Sequence, residues 1–312
     1  MNAIAIDETD GARYNCSTTS NSELILAAVS DSNNWIRSNV IIPLGSCTYT
    51  CGDCLTVATW DGTSWDVTPT TTTFAVIDGD YSGGSFSACS LQVNATHTLT
   101  VSNGNFVEIE NDVIVDGDLI VETQGNFVQN DDAGTFTLNG IARVNKQTAT
   151  KTDWFYYTYW SSPVNNETIG SVFPDVDGDR RFKFNAANFV DTNGDNIDDN
   201  GDDWQYALAG EVIAPGAGYA VTESRFFVGG SGTATFEGAF NTGDISTSIS
   251  YNPVNTNSWN FIGNPYPSAI DFDAFHAANS TVVEGAAYFW SQATAHDRAN
   301  GGNEESNFSR ND

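Results

Sequence analysis

Gly104-Asn-Phe-Val-Glu-Ile-Glu-Asn-Asp-Val-Ile-Val-Asp-Gly-Asp-Leu-Ile-Val-Glu-Thr-Gln-Gly-Asn-Phe-Val128 contains a repeat of itself. The quartet Gly104-Asn-Phe-Val107 returns as Gly125-Asn-Phe-Val128, twenty-one residues on, and Phe86 precedes Phe106 by twenty. Between these markers lie apolar pairs one residue apart: Leu91/Val93, Leu99/Val101, Val107/Ile109, Val113/Val115 and Leu119/Val121. A period near twenty with three short strands per turn fits a short right-handed β-helix, a solenoid of a few coils. Each strand of such a coil turns alternate residues inward, so inward positions are apolar and outward ones polar. The outward set, Glu108, Glu110, Asp112, Asp116, Asp118 and Glu122, forms an acidic face. A meander sandwich also makes alternating strands but has no fixed period, so the near-constant spacing favours the solenoid.

Working outward, helix signals are few. Ser22-Glu-Leu-Ile-Leu-Ala-Ala-Val29 reads as either helix or strand, and Asp271 to Ala278 reads as a short helix capped by Asp271. The rest alternates Val, Ile, Thr, Phe, Tyr and Trp between Gly, Asn and Asp, which is an all-β pattern. Near residue 150 the composition shifts. Trp154-Phe-Tyr-Tyr-Thr-Tyr-Trp160 is dense in rings on both faces, as a central core strand is. Its Trp154, Tyr156 and Trp160 are also the candidate glycan contacts, since sugar CH faces pack on aromatics. Further strands are expected near Glu211–Thr222, Arg225–Val228, Thr233–Phe240, Asp244–Tyr251, Ser258–Gly263 and Ala286–Trp290, a count that suits a β-sandwich. The expected layout is an N-terminal disulfide-bearing region (1–59), a short β-helix (60–148) and a β-sandwich (149–312).

Inside the last region, Asp191-Thr-Asn-Gly-Asp-Asn-Ile-Asp-Asp-Asn-Gly-Asp-Asp203 packs oxygen ligands into one loop. Asp191, Asn193 and Asp195 stand at relative positions 1, 3 and 5, with the Ile197 carbonyl at 7, Asp199 at 9 and Asp202 at 12. Calcium takes six to eight oxygens at about 2.3–2.6 Å, and such a loop supplies them. The match to an EF-hand is partial, because Gly194 stands at position 4 and the last ligand is Asp. The loop is more similar to the calcium loops of thrombospondin type 3 and dockerin-like repeats. Asp175-Val-Asp-Gly-Asp179 repeats the 1-3-5 spacing, but Arg180, Arg181 and Lys183 follow in place of distal ligands. A tight turn with local ion pairs is expected there. Arg180 and Arg181 also compete with calcium for the acidic loop.

The formal net charge of −29, from 40 acidic and 11 basic residues, opposes binding to nucleic acid or an anionic membrane surface. No apolar run is long enough to span a bilayer as a helix. The start, Met-Asn-Ala-Ile-Ala-Ile-Asp-Glu, lacks the features of a signal peptide, so a removed signal or a piece of a longer chain is expected. Of five cysteines, Cys16, Cys47, Cys51 and Cys54 cluster early. Two disulfides among these four are expected over zinc, with the pairing open, and Cys89 reads as a buried inert thiol. His97, His276 and His296 are far apart, and no nucleophile elbow, HExxH or phosphate loop occurs. A β-helix invites comparison with polysaccharide lyases, which need calcium and a base. Here Lys146 and Lys151 stand at the end of the coils, so no enzyme activity is expected.

Trp60-Asp-Gly-Thr-Ser-Trp65, Phe74-Ala-Val-Ile-Asp-Gly-Asp-Tyr81 and the Leu-x-Val coils arrive in order. They are followed by Tyr159-Trp-Ser-Ser-Pro-Val164, Pro215-Gly-Ala-Gly-Tyr219, Trp259-Asn-Phe-Ile-Gly-Asn-Pro-Tyr-Pro-Ser-Ala-Ile270 and Tyr288-Phe-Trp290. This series resembles adhesin-like modules of large surface and secreted proteins of the Bacteroidota exported by the type IX secretion system, over roughly residues 60–312. The resemblance implies an extracellular, non-catalytic structural or adhesive module. Calcium would stabilise it, surface glycans or proteins would be its partners, and other parts of a larger parent chain would adjoin it. The alternative is a carbohydrate-binding module of a secreted polysaccharide-degrading protein. The C-terminal sorting domain of such cargo is not present, and the chain stops soon after Trp290, which suggests a fragment or processed form.

Overall fold

The computed structural model describes residues 54–195, 197–255 and 258–289, together with the backbone of two short antiparallel strands, β1 (Glu23–Ala27) and β2 (Asn39–Pro43). The ambiguous run at 22–29 is therefore a strand over its middle.

The repeat winds into a β-solenoid of about four turns. It begins with β3 (Thr56–Trp60), followed by β4 (Thr73–Ile77) and β5 (Phe86–Ala88). The next coil is β6 (Ser90–Val93), β7 (Thr98–Val101) and β8 (Phe106–Ile109), and the one after is β9 (Val113–Val115), β10 (Asp118–Val121) and β11 (Asn126–Gln129). The last comprises β12 (Phe136–Leu138) and β13 (Ile141–Gln147) and has no third strand. Strands of successive coils pair in parallel, giving three flat sides ordered β12-β9-β6-β4-β3, β13-β10-β7 and β11-β8-β5.

Register turns the sequence pattern into columns. Ala75, Leu91, Val113 and Phe136 lie opposite one another down one side, and Leu99, Leu119 and Ala142 down the next. Most of these are fully buried. Burying each large aliphatic side chain in such a column stabilises the fold by about 1.5–3 kcal/mol. The outward polar residues are laddered as well: Ser87 donates to Glu108 at 2.9 Å, Asn139 to Asp116 at 2.8 Å and Asn94 to Asp78 at 2.8 Å. Donors from adjoining coils thus satisfy much of the acidic face.

Beyond the solenoid come β14 (Thr158–Trp160), the single-turn helix α1 (Ile169–Val172), a 3-10 turn (Gly178–Arg180), β15 (Arg181–Phe184), β16 (Trp204–Tyr206), β17 (Tyr219–Val221), β18 (Thr233–Glu237) and helix α2 (Phe272–Asn279). The Asp271 side chain caps α2 by accepting from the Ala274 N–H at 3.0 Å. Four of the strands form one antiparallel sheet in the order β14-β17-β15-β16. The fifth, β18, leaves that sheet and pairs antiparallel with β13, with Val144 opposite Phe236. It therefore covers the last coil's open edge, and one hydrophobic core joins the two halves.

A sandwich needs a second sheet facing the first, and none forms among the described residues. Two of its expected strands do not form: Asp244–Tyr251 is a loop, and Ser258–Gly263 makes only an isolated bridge, from Ile262 to Ala217. Between these two segments the Asn260 amide takes the place of a backbone ladder, accepting from Ser250 N–H at 2.8 Å and donating to Ser250 C=O at 2.9 Å. Side-chain amides that bond the main chain in this way compete with sheet pairing. The aromatic run at 154–160 is likewise a strand only over its last three residues, Arg225–Val228 is a turn, and the described part of Ala286–Trp290 is irregular.

Candidate functional site: the acidic loop and the aromatic sheet face

The acidic loop connects β15 to β16, neighbouring strands at one end of the sheet. Asp191 is 1% exposed, and its carboxylate accepts from the N–H groups of Gly194 at 2.7 Å and Asp195 at 3.2 Å. Asn193 accepts from Asp195 N–H, and Asp195 from Ile197 N–H. Asp198 accepts from both Val190 and Asp202 N–H, and Asp199 accepts from the Thr192 hydroxyl and N–H, which hold its carboxyl below the usual range. The loop is thus a chain of Asx turns, each using a side-chain oxygen to fix the next peptide. Asp202 is exposed, as are Asn193, Asp195, Ile197 and Asp199. Among the described residues no three His, Cys, Asp or Glu side chains gather closely enough to hold a metal ion. Asp203, beside the expected ligand set, is buried. Burial first, and then the charges of Asp198 and Asp202, raise its pKa above the ordinary aspartate value.

Arg180 and Arg181 do not turn to this loop for the contacts that define them. Arg180 hydrogen-bonds Tyr157, and its guanidinium lies 5.5 Å from the Trp154 ring centre. Arg181 is buried on β15. A more distant arginine, Arg225, pairs with Asp177 and Asp179 of the second acidic turn and lies 5.3 Å from the same ring.

The three aromatic residues expected to contact glycans are therefore engaged otherwise. Tyr156 is buried, Trp160 packs on Phe173 and Phe236 of the core, and Trp154 sits against the two guanidinium groups. The opposite side of the sheet carries the exposed rings. Pairing places Tyr159, Phe182, Phe184, Trp204 and Tyr206 on one face. Trp204 is 38% exposed and Tyr206 58%. Tyr159 and Trp204 lie 6.3 Å apart, Phe182 and Tyr206 5.1 Å apart, with ring planes inclined by 36° and 37°. Phe261 packs on Tyr159 and Trp204 from outside the sheet. The signal was present in the sequence as Phe182-Lys-Phe184 and Trp204-Gln-Tyr206, two alternating pairs whose intervening polar residues face the other way.

Cys89 is not an inert thiol: it forms a disulfide with Cys54. Cys54 stands just before β3, and Cys89 stands between β5 and β6, so the bond fastens the start of the solenoid to its next coils. Cys16, Cys47 and Cys51 lie outside the described residues.

The fold and its surface define a β-solenoid protein with an appended antiparallel sheet. Residues 59–312 match the family described as Domain of unknown function (DUF8693), and the chain belongs to that family. No curated protein and no solved structure matches it significantly.

Proposed function

We propose that the chain is a non-catalytic structural and adhesive module of a cell-surface or secreted protein. The solenoid serves as a stem and the aromatic face of the β14-β17-β15-β16 sheet as the contact surface. The observation that carries this reading is that face: Trp204, Tyr206 and Tyr159 are each more than a third exposed on one side of one sheet. Grouped exposed rings of this kind mark interaction surfaces. The Cys54–Cys89 disulfide supports an oxidising, extracellular setting. Surface glycans or surface proteins are the proposed partners, and the carbohydrate-binding reading rests on the same rings. Binding of the intact chain to glycan and extracellular-matrix arrays tests this. Trp204→Ala with Tyr206→Ala is expected to abolish any signal, and binding that survives the pair sinks the assignment of the face.

Calcium is the proposed stabilising ion, held by Asp191, Asn193, Asp195, the Ile197 carbonyl, Asp199 and Asp202. Support comes from the loop's run of side-chain oxygens from Asp191 to Asp202, most of them exposed and close in sequence. A cation that binds only the folded state raises stability by mass action. Equal melting temperatures in calcium and in EDTA would remove calcium from the proposal.

A further inference from the structure

Strand β16 is the last strand of the appended sheet, and among the described residues no strand lies beyond it. Its main-chain groups alternate between two directions. Asp203 C=O accepts from Asn185 N–H at 2.7 Å, and Ala207 N–H donates to Arg181 C=O at 2.8 Å, so both face β15. Gln205, paired with Lys183 midway between them, faces β15 as well. The N–H and C=O groups of Trp204 and Tyr206 therefore point away from the sheet. Trp204 N–H is taken by the neighbouring Asp203 Oδ1 at 2.7 Å. The Trp204 C=O, the Tyr206 C=O and the Tyr206 N–H find no hydrogen bond among the described residues.

An unpaired edge of this kind is a template for another strand, and proteins discourage such pairing with Lys, Pro or a covering element. The last coil of the solenoid has a covering element, since β18 pairs with β13. Among the described residues the β16 edge has none of these. Trp204-Gln-Tyr-Ala-Leu208 contains neither Lys nor Pro, and Trp204, Tyr206 and Leu208 are all exposed, Leu208 by 70%. Open main-chain groups flanked by exposed apolar side chains are what a docked strand covers in β-augmentation. There the main-chain bonds give affinity and the side chains give specificity.

The surroundings select the partner. An extended polypeptide repeats N–H and C=O groups at the spacing of this edge, and a sugar does not. The rings also suit a chain over a sugar. The Tyr159–Trp204 and Phe182–Tyr206 planes are inclined by 36° and 37°, so neither pair makes a flat stacking platform. Charge narrows the choice further. The loop running into β16 exposes Asp195, Asp199 and Asp202, and the ring faces of Trp204 and Tyr206 attract cations. A second copy of the chain, at a net charge of −29, is repelled, whereas a basic segment is attracted.

We propose that the free edge of β16 takes up a strand from a partner protein, an extended segment of alternating apolar and basic residues, through the outward main-chain groups of Trp204 and Tyr206. This rests on the reading of the aromatic face as the contact surface and names the partner class for it. The test is titration of the intact chain with a peptide of alternating valine and lysine, and with the same peptide methylated on every backbone nitrogen. Methylation keeps the charge and removes the N–H groups that the edge requires. The parent peptide is expected to bind with a Kd of about 1 mM or tighter, and the methylated one about tenfold or more weakly. Hydrogen–deuterium exchange at the Tyr206 N–H is expected to slow with the first peptide and not with the second. Equal binding of the two peptides reduces the interaction to charge attraction and overturns the proposal, as does unchanged exchange at Tyr206. A glycan-array signal that Trp204→Ala with Tyr206→Ala abolishes, together with no peptide binding, overturns strand addition while leaving the contact surface standing.

Discussion

Asp112 and Thr135 stand one coil apart, and Asp112 Oδ1 accepts from both the Thr135 N–H at 2.8 Å and the Thr135 hydroxyl at 2.9 Å. A carboxylate in the outward set thus fixes where the following coil begins. Asp112→Ala is expected to destabilise the protein by about 1.5–3 kcal/mol, the range for hydrogen bonds to charged groups. Thr135→Val, which keeps the N–H, is expected to cost less. Urea denaturation of both variants checks the order, and a neutral Asp112→Ala would mean that the corner is set by packing alone.

The Lys151 ammonium is buried and donates to Glu223 at 2.8 Å. Burial lowers its pKa, and Glu223 opposes that shift. Glu223→Gln leaves a buried charge without its counter-ion and is expected to cost about 3–5 kcal/mol at neutral pH. The loss should shrink as pH rises toward the ordinary lysine pKa of 10.5, because the folded variant sheds the proton first. Replacing both partners with Met and Leu is expected to restore much of the stability. Thermal melts across pH separate these outcomes.

Removing the Cys54–Cys89 bond opens a loop of 35 residues. The chain-entropy relation gives about 4 kcal/mol for that length. Cys54→Ser with Cys89→Ser should therefore melt well below the parent in oxidising buffer, and reductant should lower the parent's melting temperature far more than the variant's. Equal responses to reductant would show that the bond contributes nothing.

Asp203 has a folded pKa above the ordinary 3.8, so the folded state holds its proton more tightly than the unfolded chain. Stability from this group is present below pH 3.8 and falls as pH rises through the folded value. Asp203→Asn keeps an acceptor for the Trp204 N–H, which now bonds Oδ1 at 2.7 Å. With calcium chelated, it is expected to raise the melting temperature by a few degrees at pH 7 and to leave it unchanged well below the carboxylate range. A lower melting temperature in the chelator would mean that the Asp203 charge is stabilised by the fold itself.

The solenoid was legible because its period is carried by local pairs such as Leu119/Val121 that repeat at nearly constant spacing. The destination of Thr233–Phe240 was not, since its pairing partner β13 lies some ninety residues earlier and the run itself alternates like any sandwich strand. The 154–160 run reads as core, but it does not say which of its rings turn inward. Trp160 is drawn inward by Phe173 and Phe236, and no residue within the run encodes that. The end of the solenoid had one local sign, a glutamine at position 129 where the two preceding coils hold Ala88 and Ile109.

Because β18 runs against β13 in the opposite direction, the stack of coils is closed at that end and has a fixed number of steps. The steps between the ends are interchangeable in a way the ends are not. Inserting one whole coil between β9 and β12 would add a layer of about 4.7–4.9 Å to the stack and leave both the disulfide and the antiparallel closure untouched. The fold is in that sense a ruler whose graduations can be added or removed, each one carrying the appended sheet a step further from the disulfide.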